Sequence, residues 1–374
     1  MSSKGLKPIR VLQMIASFTR GGSQSVVMNL YRNIDRKKVQ FDFIVDHTEY
    51  SGYEEEIKEL DGKIFVMPTF NGTNIIEVKK AWNNFFKDHQ EYKILHSHSR
   101  SYASIYLPIA KKYGVKTIIH SHSTSNGSGI KSKIKDLMQL PLRHQADYYM
   151  ACSLDAGKWL FGNKVVNSNR FFILNNAIDT KKYTYNKSVR KEYRKEFGIK
   201  DDECIFIQIS NFIPIKNHSF SLNCFKDVLS IKPNSKFFII GSGDENNTNN
   251  IKNIIKENNI ENEVLMFGTR NDVNNLLQMA DCYLMPSIYE GISLAAIEAQ
   301  ASGIKCLLSD KVSKDEQITN ECKFLPLEKN IWVKEMTNIS LERKNNYDTI
   351  VNAGYDIHTT AKWIEDFYLD IYDK

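Results

Sequence analysis

The stretch Met285–Asp310 reads MPSIYEGISLAAIEAQASGIKCLLSD. An apolar run ends at Pro286–Ser287, Glu290 follows in a loop, and Gly291 permits close backbone approach. Ser293 is placed to cap a helix that contains Glu298. Seven residues separate the two glutamates, so one lies in the loop before the helix and the other in its second turn. The free amides of the helix start form an anion site between them. This suits a nucleoside diphosphate-sugar, with amides for the phosphates, Glu298 for two ribose hydroxyls and Glu290 for sugar hydroxyls. A carboxylate can accept from both members of a vicinal diol, which explains the residue type. An amphipathic helix with two solvated glutamates is the plain alternative, and the accompanying EG-x-S and EAQASG argue against it.

The run ending at Pro286 is one of many. In the first half, RVLQMIAS, FDFIVD, KIFVMP, KILHSHS, KTIIHSHS, DYYMACS and RFFILNN read as buried strands, with helical spacing over Gln24–Tyr31, Ile75–Phe86 and Ile105–Tyr113. Strand–helix alternation implies right-handed crossovers and a parallel sheet covered on both faces. The pattern resets after Asn176. A lysine-rich helical stretch, Lys181–Phe197, leads to CIFIQIS, KFFIIGS, EVLMFG, CYLMPS and KCLLSD, a second doubly wound sheet. The boundary falls between residues 177 and 195, giving domains 1–185 and 186–346. Ligands in such a fold bind where strand exits meet helix starts, in a cleft between the two domains.

Other strand exits carry candidate chemistry. In Ile209–His218, ISNFIPIKNH, Lys216 sits where an ammonium could meet a diphosphate. Gly21–Gly22 follows the first strand and makes a tight turn, a weaker signal. LHSHS and IHSHST place His96 with His98, and His120 with His122, each pair on one strand face. A metal site there lacks a carboxylate or cysteine at supporting spacing. His122, nearest the strand exit, is preferred as a hydrogen-bonding residue at a sugar, and the other three read as satisfied structural histidines. GSGDEN at Gly241–Asn246 imitates a dinucleotide fingerprint, but Asn246 replaces its third glycine, so nicotinamide binding is rejected.

Composition narrows the classes. Of 374 residues, 42% are apolar, 25% charged and 11% aromatic, which excludes dominant disorder and supplies two hydrophobic cores. No run approaches ~20 consecutive apolar residues. The formal charge of +6 fits attraction to phosphate, on a small ligand or an anionic bilayer, whereas nucleic acid would demand a denser basic patch. Six cysteines without a C-x-x-C pair read as buried free thiols. The N-terminus lacks the apolar core of a signal peptide, so a cytoplasmic protein is expected.

Together, RGGSQSVVMNLY, HSHST, LNNAID, NFIPIKNH and FGTRNDVNNLLQMADCYLMPSIYEGISLAAIEAQASG resemble the family 4 retaining glycosyltransferases of GT-B fold, especially those of bacterial capsule and exopolysaccharide assembly. The resemblance spans nearly the whole chain. It implies two Rossmann-like domains facing across a cleft, with residues 347–374 packing back on the first. It implies transfer of a sugar from a nucleotide-sugar, usually a UDP-sugar, to a saccharide or polyprenyl-diphosphate-linked acceptor with retention of configuration. Glu298 matches the ribose-binding glutamate and Glu290 the glutamate near the donor sugar. Gly291, Ile292 and Ser293 match the loop whose amides meet the donor. Lys216 matches the diphosphate lysine, Gly22 the glycine of the first loop, and His122 the N-domain histidine at the sugar. The family needs no metal or other cofactor, in keeping with the absence of an Asp-x-Asp motif.

One departure stands out. Where the family usually has arginine, five residues before the lysine, this chain has Asn211. A lost charge-assisted contact is worth roughly 2–4 kcal/mol in a closed site. Arg20 or Arg270 compensates, or turnover is slow, or the chain is a GT-B pseudoenzyme that partners another transferase. Asn211 favours that last reading, and intact Glu290, Lys216 and Glu298 oppose it. LNNAID also has Asn176-Ala177 where Asn-Gly is common. The stretch Ser128–Gln145 sets Lys131, Lys133, Lys135 and Arg143 among apolar residues. It reads first as a solvated helix, and in the family context as peripheral attachment to the inner face of the cell membrane.

Overall fold

The computed structural model describes residues 7–18, 22–46, 52–123 and 130–374, with only the backbone for 130–132. Gly21 and Arg20 lie outside the described residues, as do Ser128 and the side chain of Lys131. The chain divides into two compact units, residues 1–177 with 357–374, and residues 178–356.

The first unit is built on β1 (Ile9–Met14), β2 (Val39–Val45), β3 (Ile64–Val66), β4 (Ile94–Ser97), β5 (Lys116–Ser121), β6 (Tyr148–Ala151) and β7 (Phe171–Ile173). They form a seven-stranded sheet in the order β3-β2-β1-β4-β5-β6-β7, parallel at every pairing. Helices cover both faces, which is why β2 is buried at every position, its Gln40 and Asp42 satisfied by a bond to the Leu60 carbonyl and an ion pair with Arg10. One face packs Trp82, Tyr106 and Phe86, with the Trp82 and Tyr106 rings stacked at 4.4 Å. The C-terminal helix Ile357–Tyr372 closes the other face. Its Tyr368 ring meets Phe41 edge-on at 5.9 Å, and Glu365 accepts from the Asp35 amide at 3.1 Å.

The second unit holds β8 (Cys204–Ile209), β9 (Ser235–Ile240), β10 (Val264–Gly268), β11 (Cys282–Met285), β12 (Lys305–Ser309) and β13 (Cys322–Leu325). This parallel sheet runs β10-β9-β8-β11-β12-β13. The helix Lys187–Glu196 is locked to it by charge. Arg190 meets Asp281 at 2.6 Å and Arg194 meets it at 3.4 Å, while the same carboxylate accepts from the Ile205 amide at 2.8 Å.

The fold class stands as read, two doubly wound parallel sheets, with particulars changed. A sixth strand, β13, was not foreseen in the second sheet. The division lies at Ala177 rather than 185 because Ile178 already pairs with the Tyr355–Asp356 backbone of the second unit. The stretch 347–372 is two helices, of which Tyr347–Asn352 belongs to the second unit and Ile357–Tyr372 to the first. Gly354 ends the former at φ +82, its amide donating to the Val351 carbonyl at 2.9 Å. All six cysteines are buried thiols, none in a disulfide. Among the described residues no helix is long and apolar enough to cross a membrane.

Candidate functional site

The second sheet has a switch point. From β8 the chain moves outward to β9 and β10, then returns to β11 and runs the other way. The exit loops of β8 and β11 therefore diverge from neighbouring strands and leave a crevice at their carboxyl ends, the place where open α/β sheets bind ligands. Residues singled out from the sequence line this switch point.

The β8 exit is a stiff turn. Ile213 is extended, Pro214 opens the short turn Pro214–Lys216, and Asn217 adopts a left-handed conformation at φ 55 before the helix His218–Leu229. The Lys216 carbonyl accepts from Gln208 Nε2 at 2.9 Å, and Ser221 holds the other end of that amide at 2.7 Å. Two further bonds tie the turn to the β11 exit. The Ile288 amide donates to the Ile215 carbonyl at 2.9 Å, and Asn217 Nδ2 donates to the Pro286 carbonyl at 3.2 Å. With the backbones so joined, Lys216 Nζ forms an ion pair with Glu290. Their side chains are 17% and 18% exposed, so an incoming ligand can reach both.

The β9 exit braces the same turn. Gly241 sits at φ +142, where an added Cβ would lie 1.9 Å from the Ser210 carbonyl, and a Cβ on Gly243 would strike Phe212. The Phe212 amide donates to the Ser242 carbonyl at 2.8 Å. The glycines of GSGDEN thus serve close packing of two strand exits.

Beyond Glu290, Ser293 caps the helix Leu294–Ala301, its hydroxyl accepting from the Ala296 amide at 3.4 Å. The Ser293 amide donates to Glu316 Oε1 at 3.3 Å. Glu316 is fully buried, and burial, with the Glu290 charge as the next cause, pushes its carboxyl well above the usual range. Gln300 pins the Glu316 segment to the helix, donating to the Glu316 carbonyl at 2.8 Å and accepting from the Ile318 and Thr319 amides at 3.0 Å each. Glu298 lies in the second turn of the helix, where Tyr183 is close enough to act on its carboxyl. Burial pushes Glu298 up to about 7, while Tyr183 and then Lys182 pull the other way. Neither Glu316 nor Tyr183 was foreseen. Each belongs to a polar segment distant in sequence, and nothing local marks it.

The remaining candidates fall elsewhere. Asn211 is exposed, its carbonyl accepting from the Ile213 amide at 3.0 Å. Arg270, expected from the sequence as a compensating cation, has its guanidinium engaged by Asp272 at 2.8 and 2.6 Å. Gly291 and Ile292 lie in the loop with Glu290, Ile292 buried. In the first unit, Gly22 opens the helix Gly22–Asn33 with open space where a Cβ would be. His122 Nε2 meets His98 Nδ1 at 2.8 Å, so this partly exposed ring is held by another histidine. The other three histidines are not all satisfied, contrary to the sequence reading, since both ring nitrogens of His120 and Nε2 of His96 are buried without a partner.

Chemically, the second unit offers an ammonium, the capped start of a helix, and the carboxylates of Glu290 and Glu298. That set can take a diphosphate between cation and amides, and hydroxyl groups at the carboxylates.

Two family models match the chain. Residues 20–182 match Glycosyltransferase Family 4, and residues 189–332 match Glycosyl transferases group 1. Among curated proteins, the chain is 32% identical over 363 residues to a putative glycosyltransferase, EpsF, of Bacillus subtilis, covering 93% of each. It is 25% identical over 333 residues to an Escherichia coli UDP-Gal:alpha-D-GlcNAc-diphosphoundecaprenol alpha-1,3-galactosyltransferase, covering 83% of this chain and 84% of the relative. Among solved structures, HepE of Anabaena in complex with UDP superposes with a TM-score of 0.78 at 13% identity, covering 96% of this chain and all of that one. The chain belongs to the family 4 glycosyltransferases of GT-B fold, and is a glycosyltransferase of polysaccharide or glycan biosynthesis.

Proposed function

We propose that the chain is a retaining transferase that moves a sugar from a UDP-sugar to a saccharide acceptor carried on polyprenyl diphosphate. The observation that carries this reading is the Lys216–Glu290 pair, held across the β8 and β11 exits beside the capped helix of Glu298. The names of two similar proteins support the nucleotide and acceptor class, one transferring from UDP-Gal onto a diphosphoundecaprenol substrate and one solved with UDP.

Glu298 accepts the two ribose hydroxyls. The diphosphate lies on the amides at the start of Leu294–Ala301 and takes Lys216 as its counter-ion, which frees Glu290 to receive sugar hydroxyls. The bond between the anomeric carbon and the phosphate oxygen breaks as the acceptor oxygen attacks from the same face. The acceptor proton passes to the departing phosphate, so no protein nucleophile is needed. Developing charge on the phosphate is met by Lys216 and the helix amides, cation and dipoles already in place. The reading assigns this charge compensation to protein groups rather than to a metal.

A thermal-shift titration with UDP, GDP and ADP, without added metal, tests the reading. Saturable stabilisation by UDP alone is expected, because a ligand bound only to the folded state raises its melting temperature. Silence toward all three at millimolar concentration would instead favour the partner-binding pseudoenzyme that Asn211 suggests.

Glu298 adds a pH dependence. Its carboxyl stands near 7 when folded and near 4.5 when unfolded, so between these values the native state holds a proton that the unfolded chain lacks. Native stability therefore falls as pH rises through that window. Ligand-free Glu298→Gln is expected to resist urea better than the native chain at pH 8, by about 1–3 kcal/mol, and to match it near pH 5. Equal stability at pH 8 would show that the carboxylate carries no such strain.

For a lipid-linked acceptor the first unit offers the helix Ile130–Gln139, which exposes Ile134 and Leu137 beside Lys133 and Lys135. Apolar side chains flanked by lysines suit an anionic bilayer surface. Co-sedimentation with anionic liposomes at low salt, reduced in Leu137→Glu, is expected. Recovery of all protein in the supernatant would remove the membrane from the proposal.

A further inference from the structure

The two HSH segments end neighbouring strands, and the sheet brings their rings into one cluster. His96 on β4 and His120 on β5 stack at 5.4 Å between ring centres, with His98 4.2 Å from His96 and 5.2 Å from His120. His96 and His120 are fully buried and His98 is 8% exposed. One ring nitrogen from each lies within 4.8 Å of the other two.

The hydrogen-bond accounting is incomplete in one direction. Gln13 Nε2 donates to the Tyr368 hydroxyl at 3.2 Å, which fixes the amide so that its oxygen faces His98 Nε2 at 3.0 Å. His98 Nε2 therefore carries the proton, and Nδ1 carries a lone pair that accepts from His122 Nε2 at 2.8 Å. His96 Nδ1 lies 2.6 Å from the Tyr368 hydroxyl. With Nδ1 donating there, its lone pair is on Nε2, which has no partner, and neither nitrogen of His120 has one. A neutral His120 carries one N–H and one lone pair, so the unpartnered nitrogens hold two buried lone pairs, one on His96 and one on His120, which call for a group that accepts them.

We infer that His96, His98 and His120 form a site for a divalent transition ion of the zinc class. An all-imidazole donor set suits zinc and excludes magnesium and calcium, which demand oxygen. Tyr368 and Gln13 supply the outer hydrogen bonds that orient ligating imidazoles. Coordination uses the lone pair on His98 Nδ1 that otherwise holds His122, so the ion frees the histidine assigned to the sugar. The site lies wholly in the first unit and takes no part in charge compensation at the diphosphate.

The test uses the full chain, purified without a histidine tag. Elemental analysis is expected to find close to one zinc per chain. After chelator stripping, added zinc is expected to raise the melting temperature by a few degrees, saturating at one equivalent. Zinc X-ray absorption should read a nitrogen shell at about 2.0–2.1 Å with imidazole scattering. His120→Gln should lose the stoichiometric metal. Metal-free wild-type protein that does not respond to zinc would overturn the site and leave water as the partner of these nitrogens. Full zinc content in a folded His120→Gln, or a sulfur or oxygen-only shell in the wild type, would also overturn it.

Discussion

The Lys216–Glu290 pair is the contact on which the rest of the second unit turns. Two loops that leave adjacent strands in opposite directions have no ladder to hold them together. The Ile288–Ile215 and Asn217–Pro286 bonds align their backbones, and the ion pair closes them. A half-buried pair of this kind contributes little net stability, because removing both charges from water offsets their attraction. Its value lies in exchange. An anion stronger than Glu290 can take the ammonium without leaving either charge uncompensated, since the carboxylate then meets hydroxyl donors. The stiff features around it, Asn217 in a left-handed conformation and Gly241 pressed on Ser210, keep the turn fixed while partners change.

Site preorganisation carries a visible cost in the same unit. Glu316 is buried under the helix start with one oxygen on the Ser293 amide and the other without a partner. Glu298 is held above its ordinary range by burial. Two destabilised carboxyl groups beside one helix are hard to explain as packing, and natural when a polar ligand completes the site.

Much of this was legible from residue order alone. The apolar runs locate twelve of the strands because parallel strands buried on both faces are continuously hydrophobic. β13 escaped because CKFL is short, with exposed Lys323 and half-buried Phe324 between two buried ends. The spacing of Glu290 and Glu298 placed one in the loop and one on the helix, as the structure has them. Partners contributed by distant segments were not legible. Tyr183 comes beside Glu298 and Glu316 holds Ser293, pairings that the chain's path decides. The histidines were legible as pairs on strand faces, but the register between β4 and β5, which stacks four rings, was not.

The account turns on Lys216 serving a diphosphate. Calorimetric titration of UDP and of uridine into the native chain and Lys216→Gln tests this most directly. The account predicts a loss of UDP affinity of about tenfold or more in the variant, a charge-assisted contact, with uridine binding unchanged. An equal loss for both ligands, or none for either, would contradict it.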